Sequence, residues 1–118
     1  MERNHRSLKA WQEAIALVDA LYEITVSFPA DERFGLVSQI RRAAVSVPAN
    51  IAEGFARSGT KELLHFLSIS VGSLSELDTL VEISVRRGFI SESQPLVEQI
   101  DRVSALVLAL SASLRKRL

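Results

Sequence analysis

The stretch from Leu36 to Phe55 carries two repeating patterns at once, and together they restrict it to a helix. Leu36, Ile40, Ala44, Val47, Ile51 and Phe55 recur at steps of three and four, while Gln39, Arg42, Ser46, Asn50 and Glu53 do the same on another face. The segment therefore reads as an amphipathic helix with an organised polar side. Pro48 lies inside it, where it removes the N–H that would bond to the carbonyl of Ala44 and crowds that turn, which predicts a bend.

The same reasoning yields four helices, over about 7–27, 31–56, 60–87 and 92–116. Ser7 is the expected N-cap of the first, and Phe28-Pro29 ends it. This helix carries two apolar stripes, Leu8, Trp11, Ile15, Val18 and Tyr22, and Ala14, Leu17, Leu21, Ile24 and Phe28, which make an arc wider than one core seam needs. Asp31 is the expected N-cap of the second helix and Thr60 that of the third, with Glu62 well placed near the positive end of the dipole. Gly88 is a natural stop for the third helix. The fourth opens with Ser91-Glu92-Ser93-Gln94, a capping-box pattern, and tolerates Pro95 in its first turn. Its seam, Leu96, Ile100, Val103, Val107, Leu110 and Leu114, alternates steps of four and three.

No strand pattern competes, and only a few residues separate the helices. Neighbours must then pack antiparallel, so the expected fold is an all-α, up-down-up-down four-helix bundle occupying residues 1–118 as one domain. At 47% hydrophobic residues the 118-residue chain has ample material for a core. The double stripe of the first helix and the apolar run of the third, from Leu63 to Val85, exceed what one small bundle buries, and Ser70, Gly72 and Ser73 would let another backbone come close. A homo-oligomer is the expected outlet.

Composition excludes several functions. There is no cysteine, so disulfides, thiol catalysis and thiolate metal sites are absent, which fits a cytoplasmic setting. The uncharged run Val103 to Leu114 is too short to span a bilayer, and the opening MERNHRSLKAW has no secretory apolar core. Lys+Arg and Asp+Glu balance at 14 each, so nucleic-acid binding cannot be argued from net charge and would need charge segregated in space.

An up-down bundle supplies such segregation. Its first helix start, second loop and last helix end share one pole, which collects Arg3, Arg6, Lys9, Arg57, Lys61, Arg115, Lys116 and Arg117 against Glu2, Glu13, Glu53 and Glu62. The other half is acidic. In an oligomer with poles aligned the basic end is multiplied, giving a face that attracts phosphates. The alternative is that Arg115, Lys116 and Arg117 only complement the negative end of the last helix. Arg41 and Arg42 are a second candidate basic surface for nucleic acid.

Chemistry-bearing arrangements are few. Glu62-Leu63-Leu64-His65 has the Glu-x-x-His spacing of di-iron bundles, but those sites need the motif twice plus two more inward glutamates, so no metal is expected. Ser46, Ser70 and Ser73 have no histidine in register, and neither a nucleophile elbow nor a phosphate loop occurs. No catalysis and no cofactor are expected. The polar stripe Arg42, Ser46, Asn50 and Glu53, with Glu76 across from it, reads as a structural network that, buried between subunits, would pair Arg42 with Glu53 or Glu76; its alternative is Arg41 and Arg42 facing phosphate inside a ring.

Arg41-Arg42-Ala43, Asn50-Ile51-Ala52-Glu53-Gly54 and Gly72-Ser73-Leu74-Ser75-Glu76, with Leu8, Trp11, Tyr22 and Phe28-Pro29 before them, give the chain a family resemblance from about Leu8 to Ile90. It resembles the four-helix-bundle proteins encoded in ribosomal RNA intervening sequences, related to the accessory proteins of diversity-generating retroelements. The resemblance implies a ring-shaped homopentamer without enzymatic activity. In the retroelement branch it implies work beside a reverse transcriptase and nucleic-acid binding through basic surface, from which the balanced charge here departs. The expected function is a non-enzymatic, nucleic-acid-associated accessory protein whose partners are its own copies, RNA or DNA and a nucleic-acid-processing protein, with no membrane. The alternative is an oligomeric scaffold that binds only protein.

Overall fold

The periodic segments are helices in the structure, a computed structural model that describes residues 4–92 and 94–118. A short 3-10 turn over Asn4–Ser7 precedes α1 (Lys9–Thr25), another over Ala30–Glu32 precedes α2 (Leu36–Ala56), and α3 (Thr60–Arg86) and α4 (Gln94–Arg115) complete the chain. No strand occurs among the described residues. The helices touch in sequence order, α1 with α2, α2 with α3, α3 with α4, and α4 also meets α1, the packing of a bundle. At about 1.5 Å per residue α3 is about 40 Å long, close to the 46 Å long axis of the molecule.

Three helix starts differ from expectation. Ser7 does not cap α1: its hydroxyl donates to the carbonyl of Asn4 inside the 3-10 turn, and Leu8 holds the N-cap position without a side-chain bond. Asp31 lies in the second 3-10 turn rather than at the head of α2, which begins five residues later. The free amide of Leu36 instead donates to Oε1 of Glu32 at 3.2 Å, so a carboxylate reaching from four residues back serves as the cap. Gly59, not Thr60, is the N-cap of α3. Gly88 does end that helix, with φ 79°, a left-handed conformation that suits glycine, and the amides of Phe89 and Ile90 fold back onto the carbonyl of Ser84. Pro95 occupies the first turn of α4, and the capping box cannot be followed because Ser93 lies outside the described residues. α2 runs unbroken through Pro48.

The core buries most of one stripe of α1 and part of the other, with Leu8, Trp11 and Val18 packed against its edge. Ala14, Leu17, Leu21 and Phe28 are buried, while Ile15 and Tyr22 of the other stripe are exposed. In α2, Ile40, Ala44, Val47 and Ile51 are buried as the stripe requires, and the buried face extends to Val37, Ala43, Pro48 and Gly54. The α4 seam is buried at Leu96, Ile100, Val103, Val107 and Leu114.

The contact between α2 and α3 is close, and it uses small residues. Ser70 donates to the carbonyl of Val47 at 2.9 Å, and Ser73 donates to the hydroxyl of Ser46 at 2.9 Å. A Cβ built on Gly54 would stand 2.9 Å from Cδ1 of Leu63 and 3.0 Å from Cβ of Phe66. Ser70 and Ser73 therefore let the backbone of α2 come close, as their small size predicts. Gly72 alone of that group faces outward, with nothing within 4 Å of a Cβ placed on it. Replacing Gly72 by alanine is expected to raise stability by about 0.5–1 kcal/mol, the entropy a helix-interior glycine wastes, as read by urea unfolding. Loss of stability would mean that this face is tightly covered by another chain.

Candidate functional site

The polar stripe of α2 opens onto a groove shared with α3. Gln39, Arg42, Ala43 and Ser46 line one side, Ser73 and Glu76 the other, around an open space of about 370 Å³. Its floor is a small network. The Asn50 amide donates to the carbonyl and hydroxyl of Ser46 at 2.8 and 2.9 Å, and Ser73 reaches the same hydroxyl. Helical spacing brings Ser46 and Asn50 together, and the short side chain of Ser73 lets α3 close on them.

The charged members of the expected network sit apart from that floor. Glu53 pairs with Arg57, the residue that caps the end of its helix, at 3.1 Å, and not with Arg42. Arg42 and Glu76 share the groove, are exposed, and form no ion pair among the described residues.

The two adjacent arginines have different surroundings. Arg41 donates from Nε to the Thr25 hydroxyl at 3.0 Å and from Nη2 to the carbonyl of Tyr22 at 3.2 Å, with its guanidinium 4.5 Å from the Tyr22 ring centre. The Thr25 hydroxyl in turn donates a hydrogen bond to the carbonyl of Leu21 at 2.7 Å. Arg41 thus ties the end of α1 to α2, a role set by a residue sixteen positions away. Replacing Arg41 by alanine is expected to cost about 2 kcal/mol, from two charge-assisted hydrogen bonds and the ring contact. Alanine at Arg42 is expected to change stability by less than about 0.5 kcal/mol. Paired chemical-denaturation curves check both, and the reverse order would contradict this assignment.

The other basic candidates are spread over the chain's exposed positions. Arg6 lies 5.3 Å from the Trp11 ring, whose edge also meets His5, and Arg57 lies 5.0 Å from the Phe66 ring. Lys9 and Lys61 are exposed in the first turns of α1 and α3, and Arg115, Lys116 and Arg117 are exposed at the end of α4. Arg3 is outside the described residues. Farther along α3, the Arg86 guanidinium is held above its ordinary pKa by its hydrogen bond and charge contact with Glu82; both side chains are exposed, so the pair is a solvated one. Glu13 pairs with Arg102 between α1 and α4 at 3.1 Å.

His65 is exposed with its ring against Phe66, and Glu62 is exposed one turn before it. Among the described residues no three of His, Asp or Glu gather as metal ligands would. No described helix is long and apolar enough to cross a membrane.

Large apolar side chains remain on the surface of every helix: Ile15 and Tyr22 on α1, Val45 on α2, Ile69 and Ile83 on α3, and Leu108 on α4. The most exposed are Val26 at 76% and Phe34 at 87%, both in the α1–α2 connection. Sequence reasoning passed over Phe34. Its signal was an aromatic residue next to Gly35, just outside the stripe that begins at Leu36.

The family model described as 23S rRNA-intervening sequence protein matches residues 6–109. Among solved structures, the chain is similar to one described as a protein with unknown function from the S23 ribosomal protein family from Bacteroides thetaiotaomicron VPI-5482. The TM-score is 0.77 at 17% sequence identity, over 86% of this chain and 97% of that one, a likeness of fold. No curated protein matches.

Proposed function

The chain belongs to the 23S rRNA-intervening sequence protein family, and from that premise we propose that it is a non-enzymatic, homo-oligomeric four-helix bundle working in the cytoplasm as a nucleic-acid-associated accessory protein. Its helices run up-down-up-down and its subunits close into a ring, five being the expected number. The antiparallel course is supported by the order of contacts: Ser46, Val47 and Gly54 of α2 meet Ser73, Ser70 and then Leu63 of α3, and Glu13 of α1 meets Arg102 of α4. With that course the start of α1, the α2–α3 loop and the end of α4 share one pole, where Arg6, Lys9, Lys61 and Arg115 to Arg117 are exposed.

The observation that carries the reading is the apolar surface left on all four helices, which a lone subunit keeps in water and an assembly buries. Stacking subunits side by side multiplies the basic pole and so compensates for the chain's zero net charge. Arg41 and the Arg57–Glu53 pair are engaged within the chain, which favours the second reading, a scaffold that binds only protein. Retention of structured RNA and duplex DNA at two salt concentrations separates the two. Retention that falls steeply with salt is the expected result, and none at low salt would leave the scaffold.

A further inference from the structure

Phe34 is the most exposed large apolar side chain of the described residues, held out between a 3-10 turn and the first residue of α2. The Arg33 guanidinium lies 5.4 Å from its ring centre, so the two side chains form one projecting unit with an apolar body and a positive flank. A second feature complements it. Between the last turns of α1 and the first turn of α4 lies a hollow of about 390 Å³ lined by Ala20, Ile24, Pro95 and Leu96, with Glu23 and Glu92 on its rim. Arg33, Glu23 and Glu92 are all exposed and none forms an ion pair among the described residues.

We propose that Phe34 and Arg33 of one copy seat in the α1–α4 hollow of the next copy, Phe34 against Ala20, Ile24, Pro95 and Leu96, and Arg33 between Glu23 and Glu92. This inference rests on the homo-oligomer reading above and gives that assembly its contact. The occupant is a second copy because projection and hollow match in both respects the surface offers, apolar ring to apolar lining and lone cation to lone carboxylates. The hollow is built on the last turns of α1, and the projection stands in the connection that leaves them, so a neighbour set side by side at the same height brings one to the other. The contact joins different surfaces of the two copies, which is the kind a ring requires, since every subunit then has one projection to give and one hollow to fill. Val26, exposed in the same connection as Phe34, would be shielded as the neighbour closes.

The test is sedimentation at equal micromolar concentration, each protein first checked for helix content. Phe34→Asp should sediment at the single-chain mass of 13.0 kDa where the parent is larger. Ala20→Trp, which fills the hollow, should do the same. Mixed in equal amounts they should form a species of twice that mass, since one variant keeps a hollow and the other a projection. A second arm avoids any folding defect at Ala20: Arg33→Glu should weaken assembly at least tenfold, and adding Glu23→Arg and Glu92→Arg should restore it. Parental mass for Phe34→Asp overturns the proposal and leaves the homo-oligomer reading standing. A monomeric Phe34→Asp with neither mixing nor charge-reversal rescue places Phe34 in the interface and overturns the hollow as its seat. A parent that itself runs at 13.0 kDa overturns the homo-oligomer reading, and this contact with it.

Discussion

Valine at Gly54 is expected to destabilise the chain by about 3 kcal/mol, lowering Tm by roughly 10–15 °C, a larger loss than at any exposed position. The cause is geometric. A Cβ at this position meets Cδ1 of Leu63 at 2.9 Å, Cβ of Phe66 at 3.0 Å and the carbonyl oxygen of Leu63 at 3.3 Å. The Leu63 methyl can swing away, but the other two atoms are fixed to the α3 backbone, so the helices must part where Leu63 and Leu67 are buried. Valine's two further methyl groups add to that crowding. Alanine should fall between glycine and valine, because its gain in helix propensity, about 1 kcal/mol, offsets part of the crowding. Urea unfolding at one fixed protein concentration reads this, so that the proposed self-association would not enter the comparison. Equal stability of the valine variant would mean that α2 and α3 are not held at the separation described.

Replacing Arg115, Lys116 and Arg117 together by glutamine is expected to weaken RNA binding on the order of 100-fold at about 0.1 M salt. The slope of log affinity against log salt should become shallower by up to about 3. These side chains are exposed and lie beyond Leu114, the last buried residue, so stability and assembly should hold within about 0.5 kcal/mol. A loss of binding would therefore be electrostatic. If this variant binds like the parent while an Arg42→Gln variant loses binding, the basic pole is the wrong surface and the α2–α3 groove is the site. Arg42 is suited to that comparison because it is exposed and makes no ion pair among the described residues.

The helices were legible in the sequence because burial imposes its period on it: the stripe from Leu36 to Phe55 and the seam from Leu96 to Leu114 mark the buried faces nearly residue by residue. Stops were legible where a residue has a special backbone preference, as at Gly88. Starts were less so, because several side chains can serve the same free amides. Asp31 looked like a cap by type, yet Glu32 does the work through its longer reach, and the apolar stripe itself begins at Leu36. The site was legible only locally. Ser46 and Asn50 are one turn apart and bond as their spacing suggests, whereas the partners of Arg41 and Glu53 depended on what stood nearest in space. Arg41 finds Thr25 across the helix pair, and Glu53 finds Arg57, so the stripe that looked like one network is a neutral floor beside Arg42 and Glu76, which form no ion pair among the described residues.

The proposed function requires that an assembled bundle, not a lone chain, engages nucleic acid. Sedimentation of the purified protein with fluorescently labelled structured RNA, at low and then at moderate salt, tests both parts in one measurement. The prediction is a protein species several times 13.0 kDa that carries the label at low salt and sheds it as salt rises, while the protein stays assembled. Protein at 13.0 kDa, or label that stays free at low salt, would contradict it.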